Sequence, residues 1–138
     1  MTEALILDSE ALNALANPKQ RNALFQRARA VLTIAHERRA LVRVPAPVLA
    51  EVCRGPRFDA AINQLLNDKG IVVCDLTADI AQRAGQLLAS AKLSSVHAVD
   101  AFVIATALTF DTAVIATSDP ADLSKLAARE RRLTILPL

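Results

Sequence analysis

Four acidic side chains interrupt apolar stretches of this sequence, where an acid is not expected. Asp8 ends the segment ALIL, and Glu51 lies within PVLAEVC. Asp100 lies within VHAVDAFVIATAL, and Asp119 follows AVIATS. Burying several carboxylates together is costly, because like charges repel and desolvation penalises each of them. A hard divalent cation removes that conflict, since Mg²⁺ and Mn²⁺ prefer oxygen ligands.

A site of this kind has a defined chemistry toward phosphodiesters. Carboxylates alone repel a phosphodiester, whereas carboxylates that hold a metal attract it. The metal can polarise a phosphoryl oxygen, activate water and neutralise the leaving oxygen, and two ions ~4 Å apart can do all three. The pattern therefore predicts metal-dependent phosphodiester cleavage, with Asp8, Glu51, Asp100 and Asp119 as the catalytic and metal-ligating residues.

Three of these acids also have an ordinary structural explanation. Asp8 and Asp119 could cap the helices that follow them, and Glu51 could pair with Arg54 at helical spacing. Asp100 is harder to explain in this way, because the segment around it is almost entirely apolar. The four acids together are therefore a stronger signal than any one of them alone.

Several polar side chains lie beside these acids. Ser9, Thr117 and Asp122 could orient a ligand or water near the metal, as groups behind metal ligands do. Ser9 could equally be a helix cap, and Asp122 could be a first-turn acid favoured by the helix dipole. His97 could shuttle a proton, but a His at a helix start is more often a cap or loop residue, so we do not assign it to the site.

The elements that must position these side chains follow from the alternation of short apolar runs with helical patterns. Strands are predicted at residues 4–7, 41–44, 71–74, 113–117 and 134–136. The longer helices are predicted at residues 19–39, 58–67, 77–91 and 98–110. Unbroken apolar strands between helices indicate an α/β fold, a three-layer α/β/α sandwich with a central, mainly parallel sheet. Because ligands bind beyond the carboxyl ends of such strands, all four acids could reach one edge of the sheet.

Composition limits the remaining possibilities. The chain has 138 residues, 53% of them hydrophobic and only 3% aromatic, with a net charge of +2. We expect one domain over residues 1–138, with a core of aliphatic side chains. The N-terminus lacks the pattern of a signal peptide, and the longest uncharged stretch is shorter than the ~20 residues that span a bilayer. We therefore expect a cytoplasmic protein that does not bind membranes.

Four segments follow one another in an order and at a spacing typical of a known family: LILDSEALNAL, VLAEVCRG, HAVDAFVIATAL and VIATSDPADLSKLA. In these segments the chain resembles the PIN-domain nucleases, especially the VapC toxins of bacterial toxin–antitoxin pairs. By position, the acids that match the family's quartet are Asp8, Glu51, Asp100 and Asp119. Thr117 matches the hydroxyl residue beside the last acid, and Asp122 the polar position three residues later. The resemblance implies a PIN-like fold and a Mg²⁺- or Mn²⁺-dependent endoribonuclease that cleaves RNA, is neutralised by a cognate antitoxin and forms a homodimer.

The chain departs from the family pattern in two respects. Glu10 follows Ser9 where members often have a second hydroxyl residue, so Glu10 either faces solvent or perturbs the site. Few aromatic rings are present to stack on unpaired bases. Substrate binding would then depend on Arg and backbone contacts to phosphate, and the candidate arginines are Arg43, Arg54 and Arg57.

Two other classes of function remain open at the level of sequence. A receiver-like phosphoacceptor also has a parallel sheet and an Asp-lined pocket, but it requires paired acids after the first strand and a Lys after the last. The segment LILDSE meets the first requirement only loosely, and LTILPL contains no Lys. A catalytically inactive PIN-like interaction module is expected to have lost an acid, yet all four are present.

Overall fold

Five strands and the helices between them make up the described part of the chain. The computed structural model describes residues 2–19, 22–67 and 70–138. In chain order the elements are β1 (Glu3–Leu7), α1 (Ser9–Ala16), α2 (Asn22–Glu37), β2 (Leu41–Pro45), α3 (Ala46–Val52), α4 (Pro56–Leu66), β3 (Ile71–Cys74), α5 (Ala78–Ala91), α6 (Ala98–Ala107), β4 (Thr112–Thr117), α7 (Pro120–Leu126) and β5 (Leu133–Pro137). A short 3₁₀ turn, Ser95–His97, leads into α6.

The strands form one sheet in the order β3-β2-β1-β4-β5, and every described strand pair is parallel. The chain runs outward from β1 to β3 and then returns to the other side of β1 for β4 and β5. Because such crossovers are right-handed, the two halves place their helices on opposite faces of the sheet. Accordingly, α1 packs against α2, α3 and α4, whereas α6 packs against α5 and α7. The predicted three-layer α/β/α sandwich is confirmed.

The central strands are buried on both faces, as the unbroken apolar runs predict. In β1 the segment from Ala4 to Leu7 is buried throughout, and so are Ile115 and Ala116 of the neighbouring β4. Side chains from both helical layers join these strands in one core cluster. None of the described helices is both long enough and apolar enough to cross a membrane.

Element boundaries differ from the predictions by a few residues. The helix predicted over residues 19–39 is described as Asn22–Glu37, and residues 20 and 21 of that prediction lie outside the described residues. Helix α4 begins two residues earlier than predicted, at Pro56. Gly55 precedes it with φ of 119°, a conformation that suits glycine, and the fixed φ of proline suits a first helical position. Helix α6 ends at Ala107, where the chain turns toward β4.

The sheet has a switch point between β1 and β4, where the direction of the chain connections reverses. In parallel α/β sheets ligands bind in the crevice at the carboxyl ends of strands at such a point. Asp8 directly follows β1, and Thr117 is the last residue of β4. The fold therefore brings two of the predicted site residues to the place where this architecture binds ligands.

The complete burial of Ile115 leads to a testable prediction about the stability of the core. Ile115 is 0% exposed, whereas Ile34 is 53% exposed. We expect Ile115→Ala to lower the free energy of unfolding by about 2–5 kcal/mol, because it removes buried apolar groups from the core and leaves a cavity. The matched Ile34→Ala change is expected to cost less than about 1 kcal/mol. Urea unfolding measures both, and equal losses would contradict the described packing.

Candidate metal centre

Asp8 lies at the switch point and is held there by hydrogen bonds. Its carboxylate accepts the Ala11 backbone N–H at 3.0 Å, which makes it the N-cap of α1, and it also accepts a hydrogen bond from the Thr117 hydroxyl. Burial raises the pKa of Asp8 above its ordinary value, although these hydrogen bonds act to lower it. The capping explanation for Asp8 is therefore correct, but it leaves a desolvated carboxylate at the carboxyl edge of the sheet.

Asp119 is linked to Asp8 through Thr117. The Asp119 backbone N–H donates to the Thr117 hydroxyl oxygen at 3.0 Å, and Thr117 is completely buried. Asp119 occupies the N-cap position of α7, but its side chain makes no capping hydrogen bond. The Asp119 carboxylate is exposed to solvent beside the end of β4. Helix capping thus does not account for this acid.

Glu51 is positioned by a hydroxyl rather than by an arginine. The Ser9 hydroxyl donates to Glu51 Oε1. Arg54 Nε donates instead to the backbone carbonyl of Glu51, at 3.2 Å. Helix α3, which carries Glu51, contacts both α1 and α6. The pairing of the Glu51 carboxylate with Arg54 that helical spacing suggested is therefore not what fixes this side chain, and Ser9 acts as a positioning hydroxyl.

Asp100 lies among the other acids in the first turn of α6. Its pKa is raised to about 6, first because burial desolvates the carboxylate and then because the charges of Asp122, Glu51 and Asp8 act on it. Among these effects, only the charge of His97 lowers the pKa. The remainder of α6 is packed in the core, so Asp100 is anchored on a rigid element. Three acids from different elements therefore act on one carboxylate, and Asp119 is not one of them.

His97 and Asp122 form a contact that sequence reasoning did not assign. His97 Nδ1 lies 3.3 Å from Asp122 Oδ2, and Lys125 Nζ lies 3.9 Å from Asp122 Oδ1. One ligand atom from each of His97, Asp100 and Asp122 can be chosen so that all three lie within 4.8 Å of one another. The signal in the sequence was the spacing of three residues between His97 and Asp100, which places two side chains on the same face of a helix.

Two of the three predicted arginines, Arg43 and Arg54, donate hydrogen bonds to backbone carbonyls. The guanidinium of Arg43 donates to the Val42 carbonyl at 2.9 Å from a half-buried position on β2. Arg54 and Arg57 are exposed at the end of α3 and the start of α4. Binding of RNA by these residues therefore stays a prediction.

The donor set fits a hard divalent cation. The charges of Asp122, Glu51 and Asp8 all act on Asp100 at one edge of the sheet, and oxygen is the donor that Mg²⁺ and Mn²⁺ prefer. The charge of Glu10 further raises the pKa of Asp8, so the Glu10 departure adds negative charge to the site. A bound cation would relieve this repulsion.

Comparison with known proteins identifies the family. Residues 5–129 match the PIN domain. The chain belongs to the PIN domain family. Among solved structures, this PIN domain is similar to VapBC2 from Rickettsia felis. That structure was crystallised with a DNA fragment from the VapBC2 promoter. The two superpose with a TM-score of 0.63 over 97% of this chain and 98% of that chain, at 14% identity, which shows a shared fold. No curated protein matches the sequence.

The raised pKa of Asp100 gives the metal-free protein a specific dependence of stability on pH. Its folded-state pKa of about 6 exceeds the ordinary value of 3.8. The protonated carboxyl therefore favours folding at low pH, and that contribution is lost as the pH rises toward 6. We expect the stability of Asp100→Asn relative to the unchanged protein to increase between pH 4 and about pH 7. Urea unfolding in chelator at several pH values measures this difference.

Asp111 provides a control, because its effect on stability depends on pH in the opposite direction. Hydrogen bonds from the Thr2 backbone N–H and hydroxyl hold its pKa below the ordinary value. Its contribution to stability is present above its ordinary pKa of 3.8 and is lost on further acidification, so Asp111→Asn is expected to lose relative stability as the pH rises toward and through that value. If the difference in free energy of unfolding between Asp100→Asn and the unchanged protein did not change with pH, the electrostatic description of the site would be contradicted.

Proposed function

We propose that this PIN domain is a divalent-metal-dependent endoribonuclease that acts as the toxin of a toxin–antitoxin pair. The observation that supports it most is the gathering of acids around Asp100: the charges of Asp122, Glu51 and Asp8 act on it, and ligand atoms of Asp100, Asp122 and His97 lie within 4.8 Å of one another. Such an arrangement is unfavourable without a cation, and it has the donor type of a site for metal-assisted phosphodiester hydrolysis.

Mg²⁺ or Mn²⁺ would be held by the acids of the predicted quartet, Asp8, Glu51, Asp100 and Asp119. When bound, the ion supplies charge neutralisation and polarisation of a phosphoryl oxygen. The protein's own contribution is orientation: Ala11 and Thr117 fix the Asp8 carboxylate, and Ser9 fixes Glu51. Asp122 would be a metal ligand rather than only a supporting residue, because its charge raises the pKa of Asp100 more than any other charge does.

Cationic side chains near the acids would bind the RNA backbone. Arg54 and Arg57 lie close to Glu51 in the chain and are exposed. Lys125, also exposed, reaches Asp122 and so lies directly beside the site. Contacts of this kind are made to phosphate and carry no sequence information. Cleavage specificity would therefore come from the shape and accessibility of the RNA more than from these cations.

A cognate antitoxin and a second copy of the chain are the proposed protein partners. The fold shared with VapBC2, together with the PIN domain match, supports the toxin assignment. The receiver-like alternative is disfavoured by the strand order β3-β2-β1-β4-β5, because receiver domains share the flavodoxin-like order 2-1-3-4-5. Loss of an acid, which an inactive interaction module would show, is not found.

Purified protein, freed of any antitoxin, is expected to cleave RNA in Mg²⁺ or Mn²⁺ and to stop when EDTA is added. Asp100→Asn should lower the rate by about 100-fold or more, because it removes a ligand of the ion that would stabilise transition-state charge, and loss of such stabilisation typically costs this much. Gel analysis of a labelled RNA, beside a DNA of the same sequence, measures the rate and the substrate class.

Asp111→Asn is the matched control for that experiment. Asp111 lies at the opposite end of β4 from the acids, next to the residue where that strand begins. We expect its rate to stay within about twofold of the unchanged protein, since surface substitutions away from a site have small effects. Full activity of Asp100→Asn would exclude the proposed mechanism.

Induced expression in bacteria is expected to arrest growth, and co-expression of the adjacent small gene upstream or downstream should relieve the arrest. The physical reason is that RNA cleavage by a free toxin removes templates or components of translation, whereas a bound partner covers the site. Growth curves of the unchanged protein and of Asp100→Asn measure the effect. Growth that is unaffected by an RNA-cleaving protein would argue against the toxin role.

A further inference from the structure

His97 is a nitrogen donor within the group of acids. It ends the 3₁₀ turn that leads into α6, and Asp100 follows it within the first turn of that helix. Asp122 comes from the first turn of α7, which packs against α6. Ligand atoms of the three side chains lie within 4.8 Å of one another. Three side chains from two packed helices are therefore close enough to share one ion.

The distances suit neighbouring ligands of a metal. With metal–ligand bonds of about 2.1 Å and octahedral angles, adjacent ligand atoms lie roughly 3 Å apart. His97 Nδ1 and Asp122 Oδ2 are 3.3 Å apart, and both side chains are only partly exposed. Small adjustments of side chains already in contact would complete such a geometry.

We infer that His97 is a ligand of the metal, together with Asp100 and Asp122, and that the site therefore prefers Mn²⁺ to Mg²⁺. The inference rests on the proposed metal-dependent function and goes beyond it, because the predicted ligands are all carboxylates. Nitrogen ligands bind divalent transition metals, of which Mn²⁺ is the weakest binder, whereas Mg²⁺ is bound by oxygen and keeps its waters. One imidazole among carboxylates thus shifts the preference toward Mn²⁺.

A purely structural role for His97 is the competing explanation. In that case the imidazole would only hold the Asp122 carboxylate by an ion pair. Asp122 also has a cationic neighbour in Lys125, whose Nζ lies 3.9 Å from its other oxygen. The ion pair is therefore not needed to balance Asp122 alone. The two roles differ in whether nitrogen is bonded directly to the metal.

Pulsed electron paramagnetic resonance of the full chain loaded with Mn²⁺ separates these roles. Directly bound imidazole nitrogen modulates the electron spin echo of Mn²⁺, and carboxylate oxygen does not. The chain contains only two histidines, so His36→Gln is the matched control for His97→Gln. His36 lies in the last turn of α2, beside Gly70. We expect nitrogen modulation in the unchanged protein and in His36→Gln, and its loss in His97→Gln.

Calorimetry gives a second readout that does not depend on cleavage. His97→Gln is expected to weaken Mn²⁺ binding by about tenfold or more and to change Mg²⁺ binding by less than about twofold. Bound Mn²⁺ without nitrogen modulation in the unchanged protein would overturn the inference, whether or not the variant folds. If RNA is still cleaved in that case, the proposed function stands. Failure to bind any divalent metal, with no RNA cleavage, would overturn both.

Discussion

Repulsion among carboxylates gathered at one edge of a parallel sheet is the constraint on which this structure depends. The charges of Asp122, Glu51 and Asp8 act on Asp100, which burial also desolvates, and its pKa rises to about 6. A folded chain bears this cost because the surrounding elements hold the acids rigidly. The apolar α6 anchors Asp100 in the core, and the β1–α1 junction fixes Asp8 through its cap. The stability of the surrounding elements is therefore what allows the acids to lie close together despite their repulsion.

The hydroxyl residues beside the acids have a common role. Thr117 donates to Asp8 and accepts from the Asp119 backbone, so one buried hydroxyl connects the ends of β1 and β4. Ser9 does the same between α1 and α3 through Glu51. These hydrogen bonds fix carboxylate orientation before any ligand arrives. Preorganisation of this kind is what a metal site requires of the groups behind its ligands.

Most of the fold follows from local properties of the sequence. Unbroken apolar strands with helices between them predict a parallel sheet covered on both faces, since each strand must bury both sides. The Thr77 hydroxyl caps α5 by accepting the Ile80 backbone N–H at 3.2 Å, as Thr commonly does before a helix. Boundaries were less predictable, because helix ends depend on individual turn conformations such as that of Gly55. The strand order was not predicted, since it depends on contacts between distant segments.

The sequence by itself determined the types of site residue: acids in apolar contexts, with hydroxyls beside them, at the spacing of a PIN domain. Only the tertiary structure decided which of them meet. It joins Glu51 to Ser9 rather than to the Arg54 guanidinium, and it links Asp119 to Asp8 through Thr117. It also brings His97 against Asp122. The physical reason is that local patterns fix which face of an element a side chain occupies, whereas the packing of one element on another fixes the distances between them.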